Sequence, residues 1–109
     1  MKMVQTEFTC QAFKLTVEVD GRVVGRATLV VMPNELHDRP AGFLEDVEVD
    51  DAFKGQGIGT KLVQEIIGLA RGKCYKLVDT SRFSRPKVHA WYERLGFKRH
   101  GYEFRLDFD

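Results

Sequence analysis

Residues 54–60 read Lys-Gly-Gln-Gly-Ile-Gly-Thr, with three glycines in five positions. Such a run is a poor interior for a helix or a strand, because glycine loses more backbone freedom on folding than any other residue. Its flanks say where it belongs. Residues 44–50 form a strand-like run upstream. Downstream, Leu62, Val63, Ile66, Ile67 and Ala70 recur at helical spacing, which predicts a helix over 57–71 ended by Gly72. A glycine turn that leaves a strand and opens a helix has backbone N–H groups without intrahelical partners. The helix dipole adds positive potential to them. The segment therefore predicts a site for a phosphorylated ligand.

The remaining elements follow from periodicity. Residues 13–19 alternate apolar and polar side chains, as a half-buried strand does. Asp20-Gly21 is a hairpin signal, and residues 23–32 form the return strand, interrupted by Gly25. Residues 33–42 are polar, contain two prolines and read as a loop. Residues 75–78 are a short buried strand. Pro86 suits the first turn of a second helix, which carries Val88, Trp91, Tyr92 and Leu95 and stops at Gly96. Residues 97–100 and 103–108 read as a closing pair of strands around Gly101. The expected order is β-β-β-α-β-α-β-β. It predicts an α/β (α+β) fold, a mixed and mostly antiparallel sheet with two main helices, in one domain over residues 1–109. The connection from the third to the fourth strand should be parallel and right-handed. That puts the glycine turn at the carboxyl end of the third strand, where open α/β sheets bind ligands.

Composition narrows the function. Seventeen basic residues face sixteen acidic ones, for a formal net charge of +1. That balance gives no general drive toward nucleic acid or membrane, and no apolar run is long enough to span a bilayer. Residues 1–7 have no hydrophobic segment of a secretory signal. Cys10 and Cys74 are far apart and read as two reduced thiols, which predicts a cytoplasmic protein. His37, His89 and His100 lack ligand spacing with each other or with the cysteines, so no metal site is expected.

Among phosphate-binding turns, a nucleotide P-loop requires Gly-x-x-x-x-Gly-Lys-Ser/Thr, whereas here Thr60 separates Gly59 from Lys61. A dinucleotide fingerprint requires Gly-x-Gly-x-x-Gly in a longer βαβ series, and the spacing of Gly55, Gly57 and Gly59 differs. A turn with no ligand would spend three glycines at a helix start without return. A fourth reading, the pyrophosphate of coenzyme A, comes from a resemblance carried by two longer stretches.

Residues 47–62, Val-Glu-Val-Asp-Asp-Ala-Phe-Lys-Gly-Gln-Gly-Ile-Gly-Thr-Lys-Leu, resemble the central motif of the GCN5-related N-acetyltransferases, usually written Arg/Gln-x-x-Gly-x-Gly/Ala. Residues 84–97, Ser-Arg-Pro-Lys-Val-His-Ala-Trp-Tyr-Glu-Arg-Leu-Gly-Phe, resemble that family's second motif, ending Phe-Tyr-Glu-x-Leu-Gly-Phe. With the strands around the two motifs, the resemblance covers residues 22–108. Residues 42–50 and 73–76 are also similar to the glucosamine-6-phosphate N-acetyltransferase branch.

The resemblance implies acetyl-CoA as co-substrate and an amine as acceptor. Backbone groups at Val47 and Val49 would pair with the pantetheine arm, as an unpaired strand edge seeks a partner. Lys54, Gly55, Gln56, Gly57, Ile58, Gly59 and Thr60 would hold the pyrophosphate. Lys54 replaces the usual Arg or Gln and offers a point charge rather than a fork. Tyr92 takes the position of the catalytic tyrosine beside the cofactor sulfur, where a phenol can protonate or stabilise the departing thiolate. For removal of the ammonium proton, Glu45 is the candidate base: period-two alternation puts it on one strand face with Val47 and Val49. Asp79 and a water relay are the alternatives. His89 belongs to an Arg-Pro-x-x-His pattern seen in part of the family, and a packing or hydrogen-bonding role is expected for it.

Family members commonly carry two helices after the first strand, and no helical periodicity precedes Gly57 here. The expected fold is a minimal version lacking that pair. Its acceptor pocket would be open, built from residues 33–42, or completed by a second subunit in a homodimer. The expected activity is acetyl transfer by direct attack of a small-molecule or protein amine in a ternary complex. The alternative is a non-catalytic coenzyme A-binding or protein-interaction module.

Overall fold

Asp20 and Gly21 both take positive φ, 51° and 77°. A type I′ hairpin turn requires that pair, and its twist matches the strands on either side. The two residues reverse the chain between β1 (Gln11–Val19) and β2 (Arg22–Met32). In this computed structural model, which describes residues 1–109, β2 continues through a loop over 33–40 into β3 (Ala41–Val49). A short 3-10 turn (Asp51–Phe53) then leads to α1 (Ile58–Arg71), β4 (Lys76–Val78) and α2 (Pro86–Arg94). No helix precedes that turn. The four strands lie in the order β1-β2-β3-β4, antiparallel except for the parallel pair β3–β4. The mixed sheet with two helices is as expected.

The chain divides into two compact units, residues 1–78 and residues 79–109. In the first, α1 covers one face of the sheet. Val24, Ala27, Leu29 and Val31 of β2 and Leu44 of β3 are buried with Leu62, Val63, Ile66 and Ala70 of α1. Register puts Phe13 and Leu15 of β1 opposite Leu29 and Ala27, on the same face. Leu29, Leu44, Ile66, Val24 and Val63 are the largest fully buried side chains, each stabilising the unit by roughly 1.5–3 kcal/mol relative to exposure. Gly25 does not merely interrupt β2. A Cβ there would stand 3.0 Å from Ile58 Cγ2 and 3.2 Å from Leu62 Cδ1, so glycine lets the first turn of α1 approach the sheet. Gly72 ends α1 as expected but in a right-handed conformation (φ −77°), followed by Lys73 and Cys74 amides that donate to the Ala70 carbonyl. Cys74 is buried, which pushes its thiol up and leaves it a poor nucleophile. β4 is half-buried rather than buried.

In the second unit, Pro86 opens α2 and Gly96 (φ 106°) follows its end. The expected closing strands at 97–100 and 103–108 are absent, because these residues form no regular structure. Alternation alone does not make a strand; a neighbouring edge must take up its backbone groups. Phe104, Leu106 and Phe108, the apolar half of that alternation, are 93%, 77% and 89% exposed.

Candidate active site

The segment that delivers the chain to the glycine turn is not a regular strand. Thr28 faces Glu45 and Arg26 faces Glu48, so β3 spends one residue more than β2 between these pairs. Asp46 absorbs the extra residue with a left-handed φ of 55°, a conformation that Asp tolerates better than most side chains. Arg26 holds the bulge from β2. Its Nε and Nη2 donate to both Asp46 carboxylate oxygens at 3.0 and 3.3 Å, and Nη2 donates to Glu48 at 2.6 Å.

The bulge overturns the placement of Glu45. The register of Thr28–Glu45 and Arg26–Glu48 puts Glu45 and Glu48 on one face, whereas Val49 pairs with Gly25 on the α1 face with Val47. Glu45 is exposed on the face opposite Val47 and Val49, since one inserted residue reverses the alternation. The alternation argument for Glu45 as base thus fails. A signal was present: the apolar spacing runs 42, 44, 47, 49, with one gap of three.

Beyond the bulge, β3 has no strand partner on its β4 side. The parallel pairing covers only Ala41, Gly42 and Phe43. The edge that carries Val47 and Val49 thus lies past the paired stretch, as the resemblance implies for a strand that receives an extended ligand.

Two arginine contacts and a set of backbone bonds then shape the turn. The Asp50 amide donates to the Val24 carbonyl at 2.8 Å, and the Phe53 amide donates to the Asp50 carbonyl at 2.9 Å. Arg22 Nη2 donates to Asp50 at 3.0 Å, with its guanidinium over the Phe53 ring. Gly55 and Gly57 both take positive φ, 80° and 82°, and an added Cβ at either would meet nothing within 4 Å. Their glycines therefore answer to backbone conformation, and the space above them is open. Gly57 caps α1. The first ladder bond runs from the Lys61 amide to the Gly57 carbonyl at 3.0 Å, so the Ile58 and Gly59 amides lie ahead of the ladder. Ile58 is anchored by its contact over Gly25. Gln56 is exposed and Thr60 half-buried. Lys54 is held by Asp51, Nζ to carboxylate 2.8 Å, and that bond keeps the Asp51 carboxyl below its ordinary range. The open cradle and the oriented amides fit a diphosphate.

The second unit presents Tyr92. The tyrosine is half-buried on α2 against Trp91 and Phe97, with ring centroids 4.8 and 5.4 Å away. Its hydroxyl is hydrogen-bonded to the Asp79 carboxylate. Burial pushes the phenol up strongly, and the Asp79 charge and hydrogen bond push it further; Arg85 opposes them weakly. Tyr92 thus keeps its proton throughout the neutral range. His89 has a structural bond, its Nε2–H donated to the Arg82 carbonyl at 2.6 Å, in line with the expected role. The bulge at Asp46, its Arg26 clamp and the Asp79–Tyr92 pair were not assembled from sequence. Nowhere do three or more His, Cys, Asp or Glu side chains gather in a way that could hold a metal ion.

A mixed sheet whose bulged strand feeds an open glycine turn at a helix N-terminus defines an α/β domain with a candidate anion site. The chain matches the acetyltransferase (GNAT) family over residues 4–97, and it belongs to that family. It is 40% identical over 90 residues to glucosamine 6-phosphate N-acetyltransferase of Trypanosoma brucei brucei, covering 80% of this chain and 58% of that protein. Against glucosamine 6-phosphate N-acetyltransferase 1 of Oryza sativa subsp. japonica it is 34% identical over 68 residues, 62% of this chain and 39% of that one. The crystal structure of a Trypanosoma brucei acetyltransferase superposes with a TM-score of 0.79 at 32% identity, covering 88% of this chain and 68% of the other. The chain therefore spans little more than half the length of the first of these relatives.

Proposed function

We propose that this protein transfers the acetyl group of acetyl-CoA to a primary amine, with direct attack of the amine on the thioester. The observation that carries this reading is the turn at Gly55 and Gly57: left-handed, open above, and feeding the first amides of α1 at the end of an unpaired strand edge. The pyrophosphate would rest on the amides of residues 55–60, with Lys54 exchanging its bond to Asp51 for one to phosphate. The pantetheine arm would add to β3 at Val47 and Val49.

Acetyl-CoA supplies an activated acyl group. The acceptor nitrogen bonds to the carbonyl carbon, the carbon–sulfur bond breaks, and the sulfur leaves as thiolate. We assign to Tyr92 the hydrogen bond that receives this charge. A thiol titrates near ~8.5 and a free phenol near ~10. Burial and Asp79 raise Tyr92 further, so full proton transfer to the thiolate would run uphill. The hydroxyl therefore stabilises the leaving group by donating a hydrogen bond. Asp79 fixes the ring while the site waits. The ammonium proton leaves through water, since Glu45 is turned to the opposite face.

The acceptor is proposed as an amino sugar phosphate, supported by the 40% identical trypanosomal relative, with other small amines and protein amines as the comparison set. No helix precedes residue 51 to wall an acceptor pocket, which also supports the second reading of a coenzyme A-binding module without turnover. A second copy completing the pocket belongs to the catalytic reading, and sedimentation showing monomer alone at working concentration would remove it. Calorimetry with coenzyme A, followed by thiol release over an amine panel that includes glucosamine 6-phosphate, separates the readings. No coenzyme A binding refutes both, and binding without acetylation of any amine leaves the module. In an enzyme, Tyr92→Phe should slow thiol release by ~10²-fold or more while coenzyme A affinity holds.

A further inference from the structure

Arg26 is the one side chain that touches both the inserted residue of the β3 bulge and the residue two positions beyond it. Nε and Nη2 take the two oxygens of Asp46, and Nη2 also takes Glu48. Arg26 sits directly opposite Glu48 in the register, at the point where the ladder resumes after the insertion. Asp46 has a left-handed backbone that a non-glycine residue leaves readily unless something holds it. Between these two contacts lies Val47, and one residue past the second lies Val49. An error in the bulge would carry both into a different register.

We propose that Arg26 is a positioning residue that locks the bulge and so aligns the β3 edge at Val47 and Val49 for the cofactor arm. The role rests on the acetyl-CoA reading above. The clamp is well suited to geometry and poorly suited to global stability. All three side chains are substantially exposed, at 40%, 55% and 63%, and exposed ion pairs add little to the folding equilibrium. What the fork offers is direction: a planar guanidinium meets one carboxylate with two parallel bonds and a second carboxylate with the other Nη2 hydrogen. A lysine keeps the charge and loses that direction.

The test compares wild type, Arg26→Lys and Arg26→Gln by hydrogen exchange, calorimetry with coenzyme A, steady-state kinetics and thermal melting. Arg26→Gln is expected to speed amide exchange at residues 45–49 without a general rise, and to weaken coenzyme A binding about fivefold, the scale of one exposed charge network. The KM for acetyl-CoA should rise by more than kcat falls, and Arg26→Lys should recover part of the loss. Unchanged exchange and affinity in Arg26→Gln overturn the clamp. Faster exchange with unchanged affinity overturns its alignment role. A large fall in melting temperature with exchange rising throughout residues 1–78 shows a merely structural arginine and overturns it too. Wild-type protein that takes up no coenzyme A refutes the acetyl-CoA reading itself, an outcome visible before any variant is made.

Discussion

Gly25→Ala is the sharpest probe of how the sheet positions the glycine turn. The new Cβ would lie 3.0 Å from Ile58 Cγ2, 3.2 Å from Leu62 Cδ1 and 3.6 Å from the Glu48 carbonyl. Ordinary contact begins near 3.4 Å, so Ile58 must retreat by about 0.4 Å (3.4 − 3.0). Ile58 Cγ2 sits on a branched carbon with a stiff χ1, and Leu62 is only 3% exposed, so neither side chain has an easy escape. Overpacking of this kind costs ~1–3 kcal/mol, against ~0.4–1 kcal/mol gained by restricting the unfolded chain. The net expectation is a loss of about 1 kcal/mol, or roughly a 4–8 °C fall in melting temperature. Since Ile58 is the first residue of α1, the same retreat should tilt the amides beside it and weaken coenzyme A binding. Scanning calorimetry and titration with coenzyme A on the same samples measure both. A variant that melts at or above wild type and binds coenzyme A equally well would refute the claim that the close helix approach sets the turn.

Gly57→Ala forces a Cβ onto a φ of 82° with nothing nearby to clash, so strain of ~1–2 kcal/mol is expected together with weaker coenzyme A binding. Gly21→Ala, at φ 77° in the β1–β2 hairpin, should cost similar stability and leave that binding intact, which titration of both variants would show. Ile66→Ala empties a fully buried position and should cost ~2–5 kcal/mol in denaturant unfolding. The raised Tyr92 proton affinity makes stability pH-dependent in alkali: its contribution is complete below the unfolded tyrosine value near ~10 and is lost as pH climbs above it, because the unfolded chain ionises first. Melting curves from pH 8 upward should fall more steeply for wild type than for Tyr92→Phe; parallel curves would contradict the assignment.

Much of the site was legible because it depends on local backbone preference. The hairpin at Asp20-Gly21, the helix opened by Pro86 and the glycine entry to α1 each need particular φ angles, and the residues that supply them stand in the sequence. The buried face of α1 was legible too, since Leu62, Val63, Ile66 and Ala70 are all buried. The tail over 97–108 shows the opposite case. Over residues 102–108 its alternation is as regular as that of β1, yet β1 pairs with β2 and the tail forms no strand. Asp79 and Tyr92 stood out singly, but their hydrogen bond joins residues thirteen positions apart, which no spacing rule announces.

From its sequence alone, this chain determines the hairpin, the two helices and the glycine turn, since one residue's conformational preference acts over only a few neighbours. Which face of β3 each side chain occupies was decided by pairing with β2. The apolar beat skips between Leu44 and Val47, but only the ladder tells whether the extra residue is absorbed by a bulge, and at which position. The close seat of α1 over Gly25 is likewise a property of two surfaces meeting, one from a strand and one from a helix more than thirty residues later. Both depend on contacts between segments distant in the chain, which local propensity does not encode.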